Sequence, residues 1–130
     1  MIASLMLVFL LQVPDAVKNE PLPEKRYLLA LDAAAKALVD SSLESGKAKL
    51  ELAADLTEFA LSSLEAMGKP AHKNAGNYKK AELRTRELLR RVDAIVKEAS
   101  IDERPGLESA QNRINVVHEK VLDGVMSKKP

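Results

Sequence analysis

The sequence predicts an all-α protein: an antiparallel up-down-up-down four-helix bundle preceded by an apolar N-terminal segment. Three observations predict it. Apolar residues recur at alternating three- and four-residue steps along four stretches, the spacing that lines one face of a helix. Gly and Pro stand at the joints between those stretches, where helices end and begin. Aromatic residues make up only 3% of the chain, so the core must come from Leu, Ala, Val and Ile. That palette suits closely packed helices better than a sheet.

The first helix is expected from Pro23 to about Ser45, with Leu28, Leu31, Ala35, Leu38 and Ser42 on its seam and Tyr27 and Ala34 beside it. Pro23 fits a first turn, where its missing N–H costs nothing, and Gly46 supplies the stop. The second helix covers about Lys47 to Met67 through Leu50, Ala53, Thr57, Ala60, Leu64 and Met67, widened by Leu52, Leu56 and Phe59. Gly68 ends it, and Lys69-Pro70 forbids continuation. The stretch from Lys69 to Gly76 reads as the longest inter-helix loop, with Asn77 as the N-cap of the third helix. That helix has the cleanest seam, Tyr78, Ala81, Thr85, Leu88, Val92, Ile95 and Ala99, and ends near Ser100. Ser100-Ile101-Asp102-Glu103 has capping-box spacing, Pro105 suits a first turn, and the fourth helix continues to about Ser127 through Leu107, Ala110, Ile114, Val117, Val121 and Gly124.

Before the bundle, residues 1–16 form a signal-like apolar segment, 17–22 a linker, and 23–130 the bundle domain. The run Leu5 to Leu11 is uncharged and too short to span a bilayer, which needs ~20 residues. It matches the apolar centre of a secretory signal. No Lys or Arg precedes it, and Pro14-Asp15-Ala16 is a poor cleavage site. The other reading is a short extra helix lying on the bundle. On the signal reading the protein is exported to the periplasm and keeps no membrane span after processing; on the other it is cytoplasmic. The seams close without this segment, so a chain starting at Val17 is expected to fold.

Composition excludes several chemistries. The chain has no cysteine, which removes disulfides, zinc thiolate sites and thiol nucleophiles. Its two histidines are His72 and His118. Neither belongs to the Glu-x-x-His pair of a di-iron bundle, since Lys69 and Asn115 stand three residues before them. Met67 and Met126 sit at helix ends, poorly placed to oppose His118 across a haem. His118 reads as a boundary residue with a solvent or carboxylate partner. Glu51, Asp55, Glu58 and Glu65 share one side of the second helix and read as a solvated face. The isolated glycines form no phosphate loop. No catalytic residue, metal or cofactor is expected, and no small-molecule substrate.

Charge is the uneven feature. Net charge is +1, yet from Lys69 to Arg91 eight Lys or Arg face only Glu82 and Glu87, a local balance of +6. From Pro14 to Met67, six basic residues stand against ten acidic ones, a balance of −4. Lys79, Arg86, Arg90 and Lys97 fall within about 20° of one line on a 3.6-residue helix. If Asn77 is the cap, Lys79 and Lys80 occupy the first turn, where the helix dipole disfavours cations by about 0.3–1 kcal/mol each. An anion there would reverse that penalty. Candidate anion-binding residues are therefore Lys73, Lys79, Lys80, Arg86 and Arg90, with an acidic protein or other polyanion as partner. The competing reading pairs these cations with the acidic faces of the first two helices.

The segment Pro14–Arg26 (PDAVKNEPLPEKR), the basic third helix and the Glu103-Arg104-Pro105 joint together resemble small uncharacterised exported helical proteins of bacteria. The resemblance implies export and carries no functional residue. The expected function is that of a non-enzymatic exported interaction or structural module. Its alternative is anion or nucleic-acid binding by the basic face of the third helix.

Overall fold

The computed structural model describes residues 13–40, 45–68 and 74–126. Among them the chain is all-helical, with five helices and no strand. The helices are α1 (Asp15–Lys18), α2 (Pro23–Leu38), α3 (Gly46–Glu65), α4 (Ala75–Glu98) and α5 (Arg104–Met126). The four long ones correspond to the four periodic stretches. Ser42, His72 and Lys73 lie outside the described residues.

One hydrophobic core joins the long helices, and the Leu, Ala, Val and Ile palette fills it. The α4 stripe follows the sequence pattern closely: Tyr78, Ala81, Thr85, Leu88 and Val92 are buried, although Ile95 yields the central place to Val96. On α5 the buried residues are Leu107, Ala110, Ile114, Val117 and Val121, with Gly124 only half-buried. The α2 stripe is rotated from expectation. Tyr27, Ala30, Leu31, Ala34, Ala37 and Leu38 are buried, while Leu28 and Ala35 lie at its margin. Small residues explain the rotation. Ala30, Ala34 and Ala37 let α2 come close to α3, with which it makes its largest interface.

The long helices form a ring in the order α2, α3, α5, α4. Each packs on its two ring neighbours; α3 and α4, although consecutive, touch least among the contacting long pairs, and α2 does not meet α5. The side of α3 that carries Asp55 therefore faces α5. The expectation of a solvated acidic face is corrected there: Asp55 is buried, while Glu58 and Glu65 are exposed.

Helix ends also differ from the sequence reading. α2 stops at Leu38 rather than near Ser45, because Val39 and Asp40 bond back to Lys36 and Ala37 and tighten the last turn. Asp40 and the serines after it favour turns over helix interior. Gly68, at φ 102°, takes the left-handed conformation just past α3, as its stop role requires. α4 begins two residues before Asn77, so Gly76 is helical and Asn77 is not the cap. Instead Asn77 accepts a hydrogen bond from the buried Tyr27 hydroxyl at 2.9 Å, and Asn74 donates to the Met67 carbonyl at 2.7 Å. These amides tie the end of α3 and the start of α2 to the start of α4. α5 starts at Arg104, after a turn in which the Ser100 hydroxyl donates to Glu103. The Arg104 guanidinium donates back to the Ala99 and Lys97 carbonyls, which the end of α4 leaves unpaired.

α1 spans the expected boundary between the signal-like segment and the linker, and Val13 and Val17 are buried in the core on either side of its start. This revises the expectation that a chain from Val17 folds without penalty. Loss of Val13 removes a fully packed side chain, worth about 1.5–3 kcal/mol. A chain starting at Val17 should show a correspondingly lower denaturant midpoint with an unchanged slope. Leu88, 2% exposed at mid-helix, should cost ~2–5 kcal/mol on replacement by Ala. An unchanged midpoint for Leu88→Ala would refute the packing of α4 described above.

Candidate functional site

Of the basic residues singled out by sequence, Lys79, Lys80, Arg86 and Arg90 lie on the outer part of α4 and are not assembled at its N-terminus; Lys73 lies outside the described residues. Because α4 begins at Ala75, Lys79 and Lys80 are its fifth and sixth residues. The free N–H groups of a helix belong to its first four residues. The expected cradle of lysines around a helix N-terminus is therefore corrected. Both lysines are exposed and make no ion pair among the described residues.

The arginines have partners. Arg86 forms a two-pronged pair with Glu82, one turn earlier on α4, and its Nε donates at 2.9 Å. Arg90 donates to Glu87 at 2.8 Å, and Arg91 shares the same carboxylate. Pairing with the acidic helices is realised by Arg84, which reaches Asp32 on α2. The rest of the compensation is internal to α4. Exposed pairs of this kind are worth little to stability.

Glu82 is a residue that composition counted only as charge. It is buried between α4 and α5, where its Oε2 lies 2.9 Å from His118 Nε2. The Arg86 guanidinium holds this carboxyl below its usual range against the opposing effect of burial, with help from His118. The signal was present: Glu82 lies four residues after Tyr78 and three before Thr85, beside the seam, with Arg86 one turn on. His118 has the carboxylate partner that its boundary position suggested.

A second buried carboxylate sits between α3 and α5. Asp55 Oδ1 accepts a hydrogen bond from Arg113 Nη2 at 2.6 Å, and Arg113 also reaches the exposed Glu58. Asp55 Oδ2 is buried with no hydrogen-bond partner among the described residues. Burial pushes the Asp55 carboxyl up, against the lowering effect of Arg113. Sequence reading missed Arg113 because no local pattern links it to residues 55 and 58 positions away.

Between α4 and α5 runs an open groove. Its α4 wall carries Arg86, Glu87, Leu89, Arg90 and Asp93; the α5 wall opposite carries Glu108, Gln111, Asn112 and Asn115. Gln111 reaches across to Asp93 at 3.4 Å. All of these side chains but Leu89 end in a charged or amide group, while their aliphatic stems supply much of the surface, so the groove suits an occupant that makes ion pairs and hydrogen bonds as well as apolar contact. The core, by contrast, holds a narrow gap lined by apolar residues and by Thr57 and Thr85. Their hydroxyls bond to the Ala53 and Ala81 carbonyls of their own helices, at 2.6 and 2.8 Å. Among the described residues no group of His, Asp and Glu is gathered in a way that could hold a metal ion. No helix among them is long and apolar enough to cross a membrane.

Comparison with known proteins finds no matching family model, no similar curated protein and no similar solved structure.

The two buried carboxylates respond to pH with opposite signs. Glu82, lowered on folding, stabilises above the unfolded carboxylate range, and that contribution is lost as pH falls through its folded value. Asp55, raised on folding, costs stability at neutral pH, and the cost fades as pH falls through its folded value. Asp55→Asn should therefore match or exceed the wild type at pH 7, by up to about 1 kcal/mol. The difference should shrink toward pH 4 as the wild-type carboxyl takes up its proton. Glu82→Gln should lose about 1–3 kcal/mol at pH 7 and approach the wild type in acid. Chemical denaturation of the three proteins between pH 4 and 7 checks both signs.

Proposed function

We propose that this chain is an exported, non-enzymatic helical bundle that serves as an interaction or structural module and works through its α4–α5 face. The observation that carries the reading is the groove between those helices. Its charged and amide side chains are open to solvent, whereas the buried ionisable groups are engaged between helices. A cleft whose walls carry two guanidinium groups, three carboxylates and three amides is equipped to hold a partner by ion pairs and hydrogen bonds.

The reading includes a topology of two antiparallel hairpins, α2–α3 and α4–α5. Contacts that support it are Arg26 to Ser63 in one hairpin, and Glu82 to His118 and Asp93 to Gln111 in the other. Tyr27 to Asn77 and Asp32 to Arg84 support α2 and α4 running in the same sense. The chain then alternates up and down, and the hairpins lie side by side. Export rests on the uncharged run Leu5 to Leu11. The buried Val13 favours a mature chain that retains it; sequencing the N-terminus of the native protein tests this.

A second reading is anion or nucleic-acid binding by α4. It is favoured by Lys79 and Lys80, which are exposed beside paired arginines. Retention on heparin at low salt, lost in Lys79→Gln/Lys80→Gln, would support it, because phosphate and sulfate contacts release counterions.

Lysine-directed cross-linking in cells that make the protein tests the first reading. Links to partner chains should come from Lys79 and Lys97. Lys25, Lys36 and Lys47, on other helices, should give few. An even distribution over all five would overturn the assignment of the face.

A further inference from the structure

We propose that the partner that fits the α4–α5 face is a second copy of this chain, related by a twofold axis parallel to the helices; the proposal rests on the interaction-module reading above. It starts from two strips that flank the groove. With 100° between successive residues, Lys79, Arg86, Arg90 and Lys97 align on the shoulder of α4 that faces α5. Glu108, Glu119 and Asp123 align on the outer part of α5, and all three are exposed. One chain therefore presents a basic strip and an acidic strip side by side.

The levels of the two strips are set by the contacts between the helices. Glu82 lies beside His118 and Asp93 beside Gln111. Counting from these contacts, Lys97 is level with Glu108, Lys79 is within two residues of Asp123, and Arg86 is within about one turn of Glu119. A twofold axis along the bundle lays α4 of one copy against α5 of the other without shifting their levels. Lys79 then meets the partner's Asp123, Arg86 the partner's Glu119, and Lys97 the partner's Glu108. Each pair occurs twice, as an isologous interface requires.

Apolar surface follows the same rule. Leu83 on α4 is 57% exposed and Val116 on α5 is 41% exposed. They project from the same outward side as the strips, within about one turn of each other's level. In the twofold arrangement Leu83 of each copy meets the partner's Val116. The intrahelical pairs leave donors free: each guanidinium has five N–H donors and spends at most three on Glu82 or Glu87, and Lys97, paired with Asp93 at 3.0 Å, has three N–H donors of which that pair takes one. A polyanion laid along the groove would meet Glu108 and Glu119 at the same time as the cations, which disfavours it relative to a surface carrying both signs.

The test is molar mass by light scattering on the full chain, across protein concentration and salt. The wild type should be a dimer at low salt, with dissociation at least about tenfold stronger at high salt, as screening of exposed charges requires. Lys79→Glu/Arg86→Glu/Lys97→Glu should be monomeric, and so should Glu108→Lys/Glu119→Lys/Asp123→Lys. An equimolar mixture of the two variants should restore a one-to-one dimer. Recovery in the mixture also shows that both variants are folded. A wild type that stays monomeric at every salt and concentration overturns the proposal, as does a mixture that does not associate. Monomeric wild type retained on heparin overturns it in favour of a polyanion. Cross-links from the face to a different protein, with a monomeric wild type, overturn the second copy and leave the interaction-module reading standing.

Discussion

Close approach of α2 and α3 through alanine is the constraint on which the rest of the arrangement depends. Ala30, Ala34 and Ala37 on one helix and Ala53, Ala54 and Ala60 on the other are all buried. Small side chains draw helix axes together and increase dispersion contacts between the backbones. The close pair leaves little room for large side chains, and the bulky residues that remain, Tyr27, Leu50, Leu56 and Leu64, occupy its flanks where α4 and α5 join. The ring order follows. α5 covers the Asp55 side of α3, and α4 lies against α2.

That order decides which charges are buried. Asp55 would be an ordinary surface carboxylate if α3 had solvent on that side; with α5 there it needs Arg113. Glu82 is similarly enclosed by α5 and meets His118. Arg113 reaches Asp55 and His118 reaches Glu82 across these interfaces, but among the described residues only Glu82 has both oxygens hydrogen-bonded. The unpartnered Oδ2 of Asp55 marks the less settled of the two interfaces. Replacing such a pair by apolar residues is often neutral or stabilising, so these acids define which helices meet more than they strengthen the fold.

Much of the architecture was legible because helical periodicity is local. The stripes of α4 and α5 follow their apolar spacing, and Gly68 ends α3 where the sequence placed a stop. What was not legible depended on neighbours. The α2 stripe rotated toward its alanines, a preference set by the partner helix. Asn77 resembles a cap, but the buried Tyr27 hydroxyl claims its side chain. The three-residue shift in the start of α4, from a cap at Asn77 to one at Asn74, took Lys79 and Lys80 off the free N–H groups, and with it the argument for an anion there. The groove was invisible in composition because its two walls come from different helices, and each wall mixes charged with neutral side chains.

The scarcity of aromatic residues has an optical consequence. The chain has no tryptophan, so its ultraviolet absorption and intrinsic fluorescence come almost wholly from Tyr27 and Tyr78. Both are buried, near the starts of α2 and α4, and burial pushes both phenols up. Spectroscopy in the near ultraviolet therefore watches a single end of the bundle. Fraying of α5 at its start, or loosening around Asp55, would pass unseen by such a probe, while any opening at the Tyr27 end would register at once.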